Sequence, residues 1–181
     1  MFLKEDNNFL NKSQISIIEN DLLSDGFPYY IQKNSVDQDN NTYLEHIVLR
    51  RPEYRRKDEY YNSDHGDFVS NIVRSFCKKN KIKINEFFRI SINFTFNNGK
   101  DKCNIHEDHT YPHKHLIVYL NDCDKESYTV IRDNKKEIKI KPKKYKGVCF
   151  ESKPHYQYYP KFGHRVVLVC TFRWPQHVTS S

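Results

Sequence analysis

From Glu86 onward, apolar residues arrive in short runs at close spacing, and that rhythm limits the fold more than any other feature of the chain. Glu86 to Phe96 alternates over much of its length. This predicts one long strand, with Arg89, Ser91, Asn93 and Thr95 on one face and Ile90, Ile92, Phe94 and Phe96 on the other. Asn98-Gly99 then marks a turn. Shorter strands are expected over His115–Asn121, Ser127–Arg132, Glu137–Lys141, Tyr145–Glu151 and Arg165–Trp174.

The upstream part reads as support for those strands. Ser13 can cap a helix over Gln14 to Leu23 that Asp25-Gly26 stops. Asp64 or Ser63 can cap a second over Asp67 to Lys79, where Phe68, Val69, Ile72, Val73 and Phe76 make one stripe for burial against a sheet. Strands are expected over Phe27–Gln32 and Thr42–Val48, with a polar loop from Lys33 to Asn41 between them. Arg50 to Tyr61 mixes charge with tyrosine and reads either as a solvated loop or as a lip that touches substrate. Helical support over about 1–85 followed by strands over about 86–174 predicts a mainly β fold with buttressing helices, a β-sandwich or jelly roll. The 181 residues fit a single domain, 1–181.

Composition removes several classes of function. Five dispersed cysteines with no Cys-x-x-Cys pair argue against a disulfide framework or a zinc knuckle. No apolar run approaches a membrane span and the first residues lack a signal-peptide core, so an intracellular, cytoplasmic protein with no membrane partner is expected. The formal charge of +7 admits a polyanion partner. Yet alanine is absent while Asn, Lys, Ile and Tyr abound, the mark of an AT-rich genome, which inflates lysine by itself and fits a viral or phage source.

Metal chemistry is suggested by Asn104 to Asn121. His106 and Asp108 stand two residues apart at the lip of an apolar strand, and in extended chain such side chains leave the same face. An imidazole and a carboxylate converging there supply two ligands, and a distant histidine can complete the 2-His-1-carboxylate face that leaves positions open on non-haem Fe(II). His155 is the best third ligand. Arg165, ten residues on, opens an apolar strand where a guanidinium is costly to bury without a partner, and its planar fork suits a carboxylate. Thr171 shares the face of Arg165, while His164 faces away by alternation. Asn93 on the polar face of the long strand reads as a cosubstrate or substrate contact, or as an internal hydrogen-bonding residue. His109, His113 and His115 read as bystanders able to scavenge zinc or nickel, with His115 turned toward the pocket behind the ligands if Tyr119 faces it.

In order and spacing, His106-x-Asp108, Tyr119-Leu-Asn121, His155 and Arg165 resemble the Fe(II)/2-oxoglutarate-dependent oxygenases of the prolyl-4-hydroxylase-like branch, including small viral members. The resemblance implies a double-stranded β-helix, a cupin-like jelly roll, with Fe(II) on His106, Asp108 and His155. It implies 2-oxoglutarate as cosubstrate with its distal carboxylate clamped by Arg165 and hydrogen-bonded by Tyr119, and Thr171 and Asn93 lining the pocket. Dioxygen completes the reactants of a hydroxylation, and Asp108 argues against halogenation, which needs a small residue there. Where relatives carry Gly-Gly-x-Thr, this chain has Glu126-Ser-Tyr-Thr129, so the turn beside the pocket wall departs from the pattern there. The expected substrate is a protein or peptide side chain such as prolyl. Nucleic acid is the alternative suggested by Arg50 to Tyr61, and a non-catalytic metal-binding β-sandwich or a zinc hydrolase are the competing classes.

Overall fold

The alternating stretch becomes the spine of the molecule. The computed structural model describes residues 1–35, 39–57 and 60–175, so parts of the polar loop and of the Arg50 to Tyr61 segment lie outside the described residues. In chain order the strands are β1 (Leu3–Asp6), β2 (Tyr30–Gln32), β3 (Tyr43–Leu49), β4 (Glu86–Phe96), β5 (Lys114–Tyr119), β6 (Thr129–Asp133), β7 (Lys136–Ile140), β8 (Gly147–Glu151), β9 (His155–Gln157) and β10 (His164–Arg173). Helix α1 (Lys12–Ile17) runs into a π-turn at Ile18–Leu22, and α2 spans Gly66–Lys79.

The strands form two antiparallel sheets. A seven-stranded sheet has the order β1-β8-β5-β10-β4-β3-β2, and a three-stranded sheet the order β7-β6-β9. Isolated bridges Lys102↔Tyr158 and His106↔His155 carry the chain before β5 alongside β9 as a broken fourth strand of the smaller sheet. From β4 onward the chain passes back and forth between the two layers, with β6 and β7 paired as a hairpin in the smaller one, which is the double-stranded β-helix.

Each central strand of the large sheet is covered on both sides, which explains its nearly unbroken apolar sequence. From β5 and β10, Leu116, Val118, Leu120, Val166, Leu168, Cys170 and Phe172 pack toward α1 and α2, while Ile117, Tyr119, Val167 and Val169 pack with Ile131, Ile140 and Phe150 between the sheets. The odd-numbered face of β10 therefore points to the inter-sheet space, and Arg165 opens that row. All five cysteines are free, and no described helix is long and apolar enough to cross a membrane.

Local chemistry differs from expectation at both helix starts. Asn11, not Ser13, caps α1: its side chain accepts from the Gln14 amide at 2.8 Å and Gln14 returns the bond to the Asn11 amide at 3.0 Å, a reciprocal capping box. Helix α2 has no side-chain cap, because the Ser63 hydroxyl is bonded to His46 and to the His65 amide, and Asp67 supplies the acidic group in the first turn. The strand β1 was not expected from its short polar sequence, and pairing with β8 makes it.

Gly147 shows how tightly helix and sheet meet. A Cβ there would lie 2.5 Å from the Phe76 ring, which is wholly buried. Gly147→Ala is expected to destabilise the protein by about 1–3 kcal/mol through overpacking, and Phe76→Leu in the same chain to recover part of the loss; denaturant melts of the single and double variants check both.

Candidate active site

Between the sheets lies a cavity of about 820 Å³, and of the expected site residues Asn93, His106, Asp108, His155 and Arg165 line it. At one end, Asp108, His115 and His155 bring one donor atom each to within 4.8 Å of one another, all three buried. Asp108 Oδ2 lies 2.9 Å from His115 Nδ1 and 3.6 Å from His155 Nε2. His106 stands beside this group, its ring centroid 4.6 Å from that of His155. Both His106 and His155 hold their Nδ1 at 2.9 Å from the carbonyl two residues upstream, Asn104 and Lys153, an arrangement that fixes Nδ1–H and leaves the Nε2 lone pair free for a metal.

His115 faces the cavity, as expected if it backs the site, and stands directly beside Asp108 and His155. The residues around Asp108 form a bend rather than regular strand, so the same-face rule for i and i+2 does not govern His106 and Asp108, and Asp108 turns toward β5. His109 and His113 stay outside. His109 stacks on Tyr111 and bonds Thr171 Oγ1 at 2.8 Å, and His113 bonds the Tyr111 carbonyl at 2.9 Å. His164 faces solvent against Phe94, as alternation required.

Two arginines grip the other side of the carboxylate. Arg89 Nη1 lies 3.3 Å from Asp108 Oδ1 and Arg51 Nη2 3.4 Å from the same atom, while Arg51 also donates to the Asp108 carbonyl and Arg89 pairs with buried Glu45. Oδ1 is thus occupied and Oδ2 is left facing the imidazoles. Neither Arg89 nor Glu45 is legible as a site residue from spacing; a cation on the polar face of a buried strand was the signal. Burial pushes the Asp108 carboxyl up, but His115, His155 and Arg89 outweigh it and hold it well below the ordinary carboxylate range. Arg89→Ala is expected to weaken metal binding about 10–100-fold, with partial recovery in Arg89→Lys, measured by competition with a chelating dye.

Protonation works against the fold here. Burial, then the neighbouring His115, takes His155 down to about 3, and burial takes His109 down to about 4, both from an ordinary value near 6.5. A histidine with a depressed folded pKa binds its proton more readily when unfolded, so stability is present above about pH 6.5 and is lost as pH falls toward 4. The urea midpoint of metal-free protein is expected to drop between pH 7 and pH 5.

The far end of the cavity is built around Arg165, 1 % exposed. Its guanidinium donates to Gln157 Oε1 and, at 2.9 Å, to Thr129 Oγ1, and lies 5.2 Å over the Tyr119 ring. These partners are neutral, and Nε has none among the described residues. Tyr119 is screened from the cavity: its hydroxyl meets Thr129 Oγ1 at 2.7 Å, so Thr129 and Gln157 present the polar surface instead. Gln157 was missed, although it lies two residues beyond His155 on the same strand face. Asn93 lines the cavity and accepts from the Ser91 hydroxyl at 3.0 Å. Thr171 does not line it. Six residues from Arg165 is about 20 Å of strand, which sets Thr171 level with His115 and Arg89 at the Asp108 end, where its hydroxyl meets His109 rather than the cavity.

The donors fit a divalent cation. One carboxylate oxygen and buried imidazole nitrogens converge, with no thiol among the converging donors of the described residues, and Asp108 Oδ2 and both His115 nitrogens are buried without a hydrogen-bond partner.

No family model matches the chain, and no curated protein matches it. Solved structures do. A 2OG-Fe(II) oxygenase-family oxidoreductase from Burkholderia pseudomallei superposes with a TM-score of 0.73 at 13% identity, covering 94% of this chain and 84% of that one. A prolyl hydroxylase from Trichoplax adhaerens, in complex with a hypoxia-inducible-factor peptide, gives 0.64 at 16% identity over 94% and 82%. The viral collagen prolyl hydroxylase of Paramecium bursaria Chlorella virus-1 gives 0.59 at 16% identity over 97% and 91%. At such identities the likeness establishes a common fold.

Proposed function

We propose that the protein is an Fe(II)- and 2-oxoglutarate-dependent dioxygenase that hydroxylates a C–H bond of a peptide, with a prolyl side chain as the substrate class. One observation carries the reading: a buried guanidinium with only neutral partners sits in the same cavity as a converging carboxylate and imidazoles. A dicarboxylate that chelates a metal at one end and needs a cation at the other matches both ends.

In this reading His106, Asp108 and His155 hold the iron, which supplies the oxidising power when 2-oxoglutarate and dioxygen are present. The chain does the rest. Arg165 takes the distal carboxylate, with Thr129 and Gln157 fixing the plane of its fork, and the polar face of β4 at Asn93 borders the cosubstrate. Val167, Val169 and Ile117 wall the space between the two ends and exclude water from it. Arg89 helps keep Asp108 ionised, and together with Arg51 it holds Oδ1 so that Oδ2 points inward.

The charged segment favours a peptide over a nucleic acid. Arg50 bonds Asn62, Arg51 bonds Asp108, and Arg55 donates to the Phe87 and Phe88 carbonyls, so these cations are spent inside the fold rather than displayed to phosphates. Two of the similar structures bear the name prolyl hydroxylase, and one of those holds a peptide. The test is succinate release in Fe(II) and 2-oxoglutarate against proline-containing peptides and single-stranded oligonucleotides, with mass spectrometry of each. Peptide-dependent succinate with one added oxygen on the peptide is expected. The same result on the oligonucleotide alone would overturn the substrate class.

A further inference from the structure

We infer that the outer face of the three-stranded sheet is a docking surface for single-stranded nucleic acid, separate from the cavity and independent of its chemistry. Strands β6, β7 and β9 turn Thr129, Ile131, Ile140, His155 and Gln157 toward the space between the sheets. Alternation sends their neighbours to the opposite side, where an antiparallel sheet open to water needs only polar side chains. This chain places tyrosines there. Tyr128, Tyr156 and Tyr158 group around Val130 and Cys103. The pairing of β6 with β9 sets them side by side, because Val130 lies opposite Tyr156 and the Tyr158 amide bonds the Tyr128 carbonyl at 2.9 Å. The half-buried rings of Tyr128 and Tyr158 meet with centroids 6.4 Å apart and planes at 82°.

Cations frame these rings. Lys139, opposite Val130 on β7, holds its ammonium 5.9 Å from the Tyr128 ring and 5.7 Å from the Tyr158 ring, and Lys102, bridged to Tyr158, reaches to 4.8 Å over Tyr156. Lys141 follows two residues after Lys139. All three lysines are exposed, and among the described residues none has an ion-pair partner. The acids on this face are spent locally: Glu137 pairs with Arg132 at 2.9 Å and accepts from the Tyr156 hydroxyl at 3.2 Å, and Glu126 accepts from the Tyr128 hydroxyl at 3.2 Å. Four cations therefore stand against two glutamates, in a chain whose formal charge is +7.

Rings beside unpaired lysines suit a base next to its phosphate, since aromatic side chains stack on any base and ammoniums take the backbone charge. A duplex keeps its base faces inside the stack, and an acidic peptide brings charge with nothing to stack, so either would leave the tyrosines unused. An AT-rich gene accounts for the number of lysines and tyrosines, not for their gathering on one sheet face. Strand β9 carries His155 inward and Tyr156 outward, so a strand docked here lies against the back of the site and leaves the cavity free.

Fluorescence anisotropy of a labelled oligo-thymidine of about 15 nucleotides, added to the full-length protein, tests this. Binding is expected to weaken with salt along a log-log slope of about −2, as three phosphate contacts on a single strand give. Tyr128→Ala and Tyr158→Ala should each weaken it about tenfold. Lys139→Glu should weaken it and flatten the salt slope, whereas Lys83→Glu, the same charge change on an exposed residue between α2 and β4, should leave it within about twofold. Thermal melts verify that the variants are folded, and the two lysine variants, both exposed, decide the matter if a tyrosine variant is not. Absence of binding at low salt overturns the inference. So do equal losses in Lys139→Glu and Lys83→Glu with the tyrosine variants unchanged, the mark of unspecific attraction to a basic protein. Polyglutamate bound as tightly as the oligonucleotide, and unaffected by Tyr158→Ala, would assign the face to an acidic protein instead. Peptide-dependent succinate release is expected to persist in Lys139→Glu, so loss of docking and failure of the cavity reading remain distinct results.

Discussion

Asp108→Ala is expected to abolish metal binding at micromolar concentrations and to reduce succinate formation by at least about a thousandfold. The carboxylate is the one anionic group among the converging donors, and its loss leaves only neutral imidazoles to hold a cation that two arginines beside the site then repel. Breaking such a buried pair also costs the fold about 3–5 kcal/mol, softened here because Arg89 keeps Glu45. Asp108→Asn separates the two effects. It preserves an oxygen for the arginines, so thermal stability should recover more than metal affinity, as calorimetry and metal analysis on the same samples would show. Equal metal content in all three proteins would remove Asp108 from the site.

Arg165 should behave in the opposite way toward stability. A guanidinium buried against a hydroxyl, an amide and a ring is a group for which the fold has found only neutral partners, and replacing it by an apolar side chain of similar length is neutral or stabilising in comparable settings. Arg165→Met is therefore expected to leave the melting temperature of the metal-free protein unchanged or raised. Loss of a buried charge-assisted contact to the cosubstrate should at the same time raise the dissociation constant for 2-oxoglutarate by roughly 10²–10³-fold. Stability gained together with binding lost is the signature of a ligand site. A variant that merely unfolds would assign Arg165 to the core instead.

Alternation carried the sequence reading a long way. It gave the faces of β4, β5 and β10, and hence the inward row headed by Arg165, because successive side chains of a regular strand leave opposite faces whatever covers them. Where the chain leaves regular strand the rule lapses. Asp108 sits in a bend, so its neighbours in space were set by packing against β5 rather than by spacing, and that brought His115 forward. Thr171 shows the complementary limit: it shares a face with Arg165 and stands level with His115, but a neighbour from outside the strand, His109, takes up its hydroxyl before the cavity does.

Other parts depended on partners remote in sequence. Glu45 reaches Arg89 only because β3 lies beside β4, and that register is invisible in either strand alone. The segment from Arg50 to Tyr61 read as a solvated loop or a lip that touches substrate, yet Arg50, Arg51 and Arg55 are hydrogen-bonded inward, since loop cations take whichever carbonyls, amides and carboxylates the fold leaves unpaired.

The most direct measurement is an anaerobic titration of the metal-free protein with Fe(II) and 2-oxoglutarate, followed by visible absorption. The account requires a weak charge-transfer band that grows with both additions, saturates at one equivalent of iron, and fails to form in Asp108→Ala or, at the same 2-oxoglutarate concentration, in Arg165→Met. Absence of the band in the unaltered protein, with iron remaining free in solution, contradicts it and leaves a β-sandwich whose buried histidines serve packing alone.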